Sequence, residues 1–579
     1  MLSAMAILHI LISIFLAQSA FSAPVGPAGT APAELSKDPV LAVLETELGR
    51  TVKGLKNAEK VPLYYLGYEL RDERTHDITA SLGALNAENE QHYRSLDVDL
   101  RVGDRRFDNT HQIKGHESWS EGNGQRHFTE VSSEDDPDAL RADIWLRTED
   151  VYREAVDRYT KVSANKAVTA EEEDKSDDFS EEAPTSAVHA VQMPSLDAAL
   201  WKERLKRLSA ELKRYPFILD SDIYVGARAE NRYYASSEGT RVVDGNVYVR
   251  LAYSLTGRTS DGMDLYRFKA YDAQDPSGLP PEERVLEDMR RSVSELESLL
   301  KAPITEPYTG PAILRARAAG VYFHEIMGHR LEGHRQKMEK EGQTFAKMLG
   351  QPVTAPFISV YDDPTLERLH GTDLRGHYLY DDEGMPARRV SLIEDGSLRS
   401  FLMSRLPIRA FQKSNGHGRR DAGYDVVPRM ANLVVEAKER MPYARLRERL
   451  ISEVKKQGKP YGMIFEDITG GNTGTGRSGP QSFKVIPLLV YRVYTDGRPD
   501  EVVRGVDIVG TPLTSFSRII AAADDDGIFN GTCGAESGGV PVSAVSPSIL
   551  FGEIEVEKKE KSSEKPPILP PPFHDRRQP

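Results

Sequence analysis

His324-Glu325-Ile326-Met327-Gly328-His329 places two imidazoles and a carboxylate within one short run. Those are the groups of a zinc hydrolase: neutral imidazoles hold the metal, and a nearby carboxylate takes a proton from the metal-bound water. The spacing is unusual. On an α-helix, positions four apart lie about 40° from alignment, whereas positions five apart lie about 140° from it. A regular helix cannot aim both rings at one ion. A one-residue π-bulge would restore alignment, and Gly328, with no side chain, is where such a distortion is expected. The competing reading is a chance string on a helix surface or in a core. His334 is either a further ligand or a surface residue near the helix end, and the surface reading is preferred.

A metal needs a third protein ligand, and Cys533 is the single cysteine of the chain. It lies in Asn530-Gly531-Thr532-Cys533-Gly534, where flanking glycines let the backbone approach closely. A free thiol in an exported protein is a liability unless it is buried or metal-bound. A buried core cysteine is the alternative.

The elements that must position these residues fall into two halves. Helical spacing of apolar residues marks Asp38 to Asn57, Asp138 to Val162, Ser195 to Arg214 and Pro280 to Leu300. Strand alternation marks Leu63 to Leu70, Ser95 to Val102, Ile218 to Ala227, Gly245 to Tyr253 and Met263 to Tyr271. Residues 38–302 therefore read as an amino-terminal α+β domain. From 303 to 557 one helix, Ala312 to Glu341, precedes many short strands broken by Gly, Pro, Asp and Asn. Glu394-Asp395-Gly396 and Thr495-Asp496-Gly497 are hairpin signals. The expected fold class is α+β, with a mainly β carboxy-terminal domain and the metal-binding helix at its start.

Composition agrees with a globular chain: of 579 residues, 39% are hydrophobic and 28% charged, which excludes a disordered or collagen-like protein. The net charge of −14 gives no support to a nucleic-acid role. Much of that excess is local, because Glu171 to Glu182 holds eight acids and one lysine. Residues 163–191, polar and acidic, read as a disordered, solvated insertion. Ile7 to Ala17 is an apolar run of signal-peptide length, so residues 1–22 read as a cleaved leader with a spacer over 23–37. The protein is expected to be exported, periplasmic or secreted, with a membrane anchor as the alternative. Residues 558–579 read as a disordered tail.

The carboxy-terminal half resembles the TldD/PmbA family of metallopeptidases. Four blocks carry the resemblance, in order: the His-Glu-x-x-x-His run with Leu331-Glu332-Gly333, Asp381 to Gly384 with Leu392 to Gly396, Gly418-Arg419-Arg420 with Pro428 to Asn432, and Cys533-Gly534 with Val540-Pro541-Val542. Residue by residue, the resemblance implies one zinc per chain held by His324, His329 and Cys533, with Glu325 as general base. It implies an extended or unfolded peptide as substrate, lying in a channel between the two domains. It also implies a homodimer, or a heterodimer with a family paralogue. His417, Arg419, Arg420 and Tyr424 share one matching block and are candidates for contacting the substrate or the oxyanion. Glu332 is a candidate for supporting a zinc-bound histidine. The rival reading is a non-catalytic peptide-binding or scaffold protein with a structural zinc.

Overall fold

A computed structural model describes residues 38–55, 61–114, 129–168, 172–477, 479, 481–559 and 569. The leader, the spacer and nearly all of the tail expected from the sequence lie outside the described residues. The amino-terminal half is built on an eight-stranded sheet whose main strands are Leu63–Ser81, Ala84–Asp104, Asp220–Ser236, Arg241–Arg258 and Asp264–Ala273. The strands run far longer than the alternation predicts, because antiparallel pairing continues into their polar ends. Helices Pro39–Leu55, Pro137–Val168, Ala198–Ala210 and Glu282–Lys301 bury one apolar stripe each against this sheet.

The carboxy-terminal half contains two large sheets. One has six strands, with Gly538–Ser546 inside it and Gly527–Ala535 at its edge. The other is largely antiparallel. Its strands Tyr308–Leu314, Tyr461–Thr473, Phe483–Tyr494, Val506–Gly510 and Ile549–Lys558 close into a ring through the pairing of first with last. Closure removes edges that would otherwise be left unpaired. The turn at Asp395-Gly396 has the positive φ values, 49° and 75°, that a tight hairpin demands. The chain is thus α+β with a mostly β carboxy-terminal half.

Two expectations are corrected. The single helix expected over Ala312 to Glu341 is in fact a strand, Tyr308–Leu314, then a helix, Ala316–Ile326, a 3₁₀ turn, Gly328–Leu331, and a short helix, His334–Lys337. No π-bulge forms there, because the α-helix simply ends before Gly328.

The acidic segment 163–191 is also ordered where it is described: 163–168 end the helix Pro137–Val168, and 172–191 pack against the rest of the protein. Phe179 is 1% exposed and packs between the guanidiniums of Arg101 and Arg405, each 3.8 Å from its ring centre. Lys337 Nζ donates to the carbonyls of Ser176 and Asp177, and Ser180 N donates to Arg405 O. Ser186–Val188 then joins the amino-terminal sheet beside Arg241. One aromatic anchor and basic groups from both halves hold it, and an average over composition hides both.

Candidate metal centre

The helix Ala316–Ile326 is buried between the strand Tyr461–Thr473 and the pair Gly527–Ala535 and Gly538–Ser546. Its Tyr322 lies among Phe483, Phe516 and Phe551, with ring centres 5.6, 6.4 and 5.1 Å away. This aromatic packing fixes the helix, and His324 sits on its last turn. The chain then breaks at Met327, at φ −102° and ψ −51°, into the 3₁₀ turn that carries His329. The break solves the spacing problem by changing helix type. Gly328 is required for a packing reason: a Cβ there would overlap Met430 Sδ.

Cys533 arrives on the edge strand Gly527–Ala535. His324 Nε2 lies 3.1 Å from Cys533 Sγ, and His329 Nε2 lies 3.3 Å from the same sulfur. All three side chains are buried, and their donor atoms lie within 4.8 Å of one another. Two tertiary elements more than 200 residues apart thus supply one donor set.

The surroundings favour positive charge at this point. Burial opposes ionisation of the Cys533 thiol, but His329, His324 and Arg429 outweigh it and hold the pKa well below the usual thiol range. Burial likewise opposes a charge on His329, yet Cys533 and Glu332 push its pKa up to about 10. A cation between a thiolate and a carboxylate meets the same demand as that proton. Thiolate and imidazole together suit zinc. His324 Nδ1 is buried without a hydrogen-bond partner among the described residues, so Nε2 remains the ring nitrogen that meets Cys533. The donor set fits a metal.

A supporting layer surrounds it. Glu332, fully buried, accepts from His329 Nδ1 at 3.2 Å and fixes the ring so that Nε2 faces Cys533. Burial disfavours the Glu332 carboxylate, but His329 and Arg335 bring its pKa down to about 2. Arg335 Nε donates to Glu332 Oε2 at 2.8 Å, and Arg429 donates to the carbonyl of Cys533 at 2.7 Å. His334 is a correction: it is fully buried and bonded to Glu536, which also receives Arg335. The sequence reading missed Arg335, Arg429 and Glu536. Each lay near a residue or block already singled out: Arg335 after the histidine motif, Arg429 within Pro428 to Asn432, and Glu536 three residues after Cys533.

A cleft of about 360 Å3 opens on the donors, lined among others by Val321, Glu325, Gly470, Gly471, Thr532, Gly534 and Glu536. Glu325 is half-buried, and its Cγ packs so closely on Gly471 that a Cβ there would lie 2.9 Å away. The lining of this cleft comes from residues 321–542, within the carboxy-terminal half.

His417, Arg419, Arg420 and Tyr424 do not line this cleft. His417 Nε2 meets Asp362 at 3.2 Å. Arg419 donates to the carbonyls of Met430 and Pro541. Arg420 crosses to the amino-terminal half, donating to Glu69 Oε2 at 2.6 Å and to the carbonyl of Tyr424. Burial disfavours the Glu69 carboxylate, but Arg71, Arg420 and Arg232 bring its pKa to about 2.

Two imidazoles and a thiol thus meet beside a cleft that Glu325 also lines, a donor set that could hold a metal ion. The sequence profile of the PmbA/TldA metallopeptidase C-terminal domain matches residues 307–558. The metalloprotease TldD homolog of Haemophilus influenzae is 31% identical over 252 residues, 42% of this chain and 48% of that protein. A metalloprotease of Methanocaldococcus jannaschii is 28% identical over 245 residues, 42% of this chain and 50% of that protein. The chain spans about half the length of these curated relatives. The crystal structure of TldE from Thermococcus kodakarensis superposes with a TM-score of 0.57 at 15% identity, covering 89% of this chain and 100% of that one. The fold likeness therefore reaches into the amino-terminal half. The carboxy-terminal half of this chain belongs to the TldD/PmbA family.

Proposed function

We propose that the protein is a zinc-dependent peptidase acting on extended or unstructured peptides, with His324, His329 and Cys533 holding one zinc per chain. The observation that carries this reading is the convergence of those three donors on a cleft that Glu325 also lines. When bound, zinc supplies Lewis acidity toward the scissile carbonyl and toward water. Glu325 accepts the proton of the attacking water at its carboxylate and passes it to the leaving amine. Glu332 keeps the His329 ring in register through Nδ1, and Arg335 and Arg429 hold the charge of that inner group in place.

Peptide lies in the cleft as an added strand. Among the described residues the edge strand Gly527–Ala535 pairs only with Gly538–Ser546, and its Thr532 and Gly534 are exposed. Such an edge offers backbone hydrogen bonds to any extended sequence. A structural zinc would draw four protein ligands. His334, the nearest further imidazole in sequence, is turned to Glu536 instead, which favours catalysis over the scaffold reading. The protein is exported after loss of residues 1–22, and it works as a homodimer or with a family paralogue.

The test is Glu325→Gln. The variant should keep its zinc and its melting temperature, while turnover of an unfolded peptide falls by about 10²–10⁴-fold. Unchanged turnover would remove Glu325 from its role.

A further inference from the structure

We infer that Phe529, with Val321 and Val542, forms a subsite beside the metal donors that takes one apolar side chain of the substrate and so sets specificity. The inference rests on the peptidase reading for its substrate and on a separate set of contacts for its shape.

The motif helix runs alongside the edge strand. Its start abuts Gly527, where a Cβ would lie 2.7 Å from Arg317 N. Gly320 meets Ala544, the cross-strand partner of Phe529, and His324 meets Cys533. The helix therefore touches the strand pair at Arg317 with Gly527, at Gly320 with Ala544 and at His324 with Cys533, and the Arg317 side chain reaches on to Phe529. On the strand, Phe529, Gly531 and Cys533 share one face. Val542 sits directly across from Gly531.

Gly531 decides the shape. A Cβ on it would overlap the Phe529 ring, so the ring lies back along the strand toward Cys533. From the other side the Arg317 guanidinium, bonded to Asp467 and to Ile468 O, stands 5.0 Å from the ring centre. A half-buried phenylalanine is thus pinned as one wall of the cleft, with the buried Val321 and Val542 behind it. The cleft also carries Arg335, Glu536, Thr473 and Thr475, all polar. The apolar members gather along the Phe529-to-Cys533 row, so the subsite accepts an apolar residue on one side of the cleaved bond and not on both.

The experiment measures binding, so that it does not depend on turnover. Zinc-loaded Glu325→Gln protein is titrated by calorimetry with two Gly/Ser-based octapeptides that differ at one central position, Phe against Asp. The Phe peptide should bind at least about tenfold more tightly, the scale of discrimination an apolar pocket supplies. Phe529→Ala in the same background should bring that ratio close to one. Gly531→Ala, which displaces the ring without removing it, should also lower the ratio. Zinc content and melting temperature of each variant are measured alongside. Equal binding of the two peptides, or a ratio untouched by Phe529→Ala, overturns the subsite. Selective binding by a protein whose wild type hydrolyses no peptide would break the peptidase reading and leave the subsite standing.

Discussion

Two buried clusters, His417 to Arg420 and His324 to His329, lie in the carboxy-terminal half, and they differ in what their polar atoms are left to do. In the block His417 to Arg420, each side chain already has a protein partner: Asp362 for His417, two carbonyls for Arg419, Glu69 for Arg420. In the block His324 to His329, the ring nitrogens meet a thiol across a short gap beside an open cleft. Both have chemistry-bearing residues packed in one run of sequence. The second brings two ring nitrogens and a thiol together beside an open cleft, where the first spends its charged groups on carboxylates and carbonyls of the protein.

The comparison can be broken from either side. The largest effect is expected from Cys533→Ser, which removes the ligand that joins the two segments. Elemental analysis should find about one zinc in the wild type and little in the variant; equal zinc in both would take Cys533 out of the site. Next comes Arg420→Met, which leaves Glu69 buried with one partner fewer. Breaking a buried pair costs about 3–5 kcal/mol, so denaturant melts should show that loss while zinc content holds. A variant that instead lost its zinc would erase the distinction between the two clusters.

Glu332→Gln should weaken zinc binding by about 10–100-fold, as loss of a partner behind a metal-bound histidine does. A competitive chelator titration reads it, and unchanged affinity would make Glu332 merely a buried anion. The smallest effect is expected from Gly328→Leu. The new side chain meets Met430, and overpacking of this kind costs about 1–3 kcal/mol. Because the strain falls on the turn before His329, some zinc affinity should go with it. A stable, fully loaded Gly328→Leu protein would show that the turn tolerates what its packing forbids.

Much of the fold was legible because it depends on local pattern. The alternation of Ser95 to Val102 and the helical spacing of Pro280 to Leu300 each mark an element found at that place. The donor residues were legible as types, since imidazoles beside a carboxylate and a lone cysteine have few other chemical uses in combination. Asp395-Gly396 was legible because positive φ falls most readily on such a pair.

Other features had no local cause. The helix ends at Ile326, and Met430 packs against Gly328 just beyond it, a contact that no periodicity within the motif records. His334 is buried by Glu536 and not by its own helix. The acidic segment is held by Arg101, Arg405 and Lys337, drawn from both halves. The sequence by itself determined which side chains could bind a metal and which stretches would be strand or helix, because propensity and donor chemistry are carried by each residue. Only the tertiary structure decided that Cys533 meets His324 and His329, and that Arg420 does not reach them. Burial and pairing are properties of the neighbours the fold supplies.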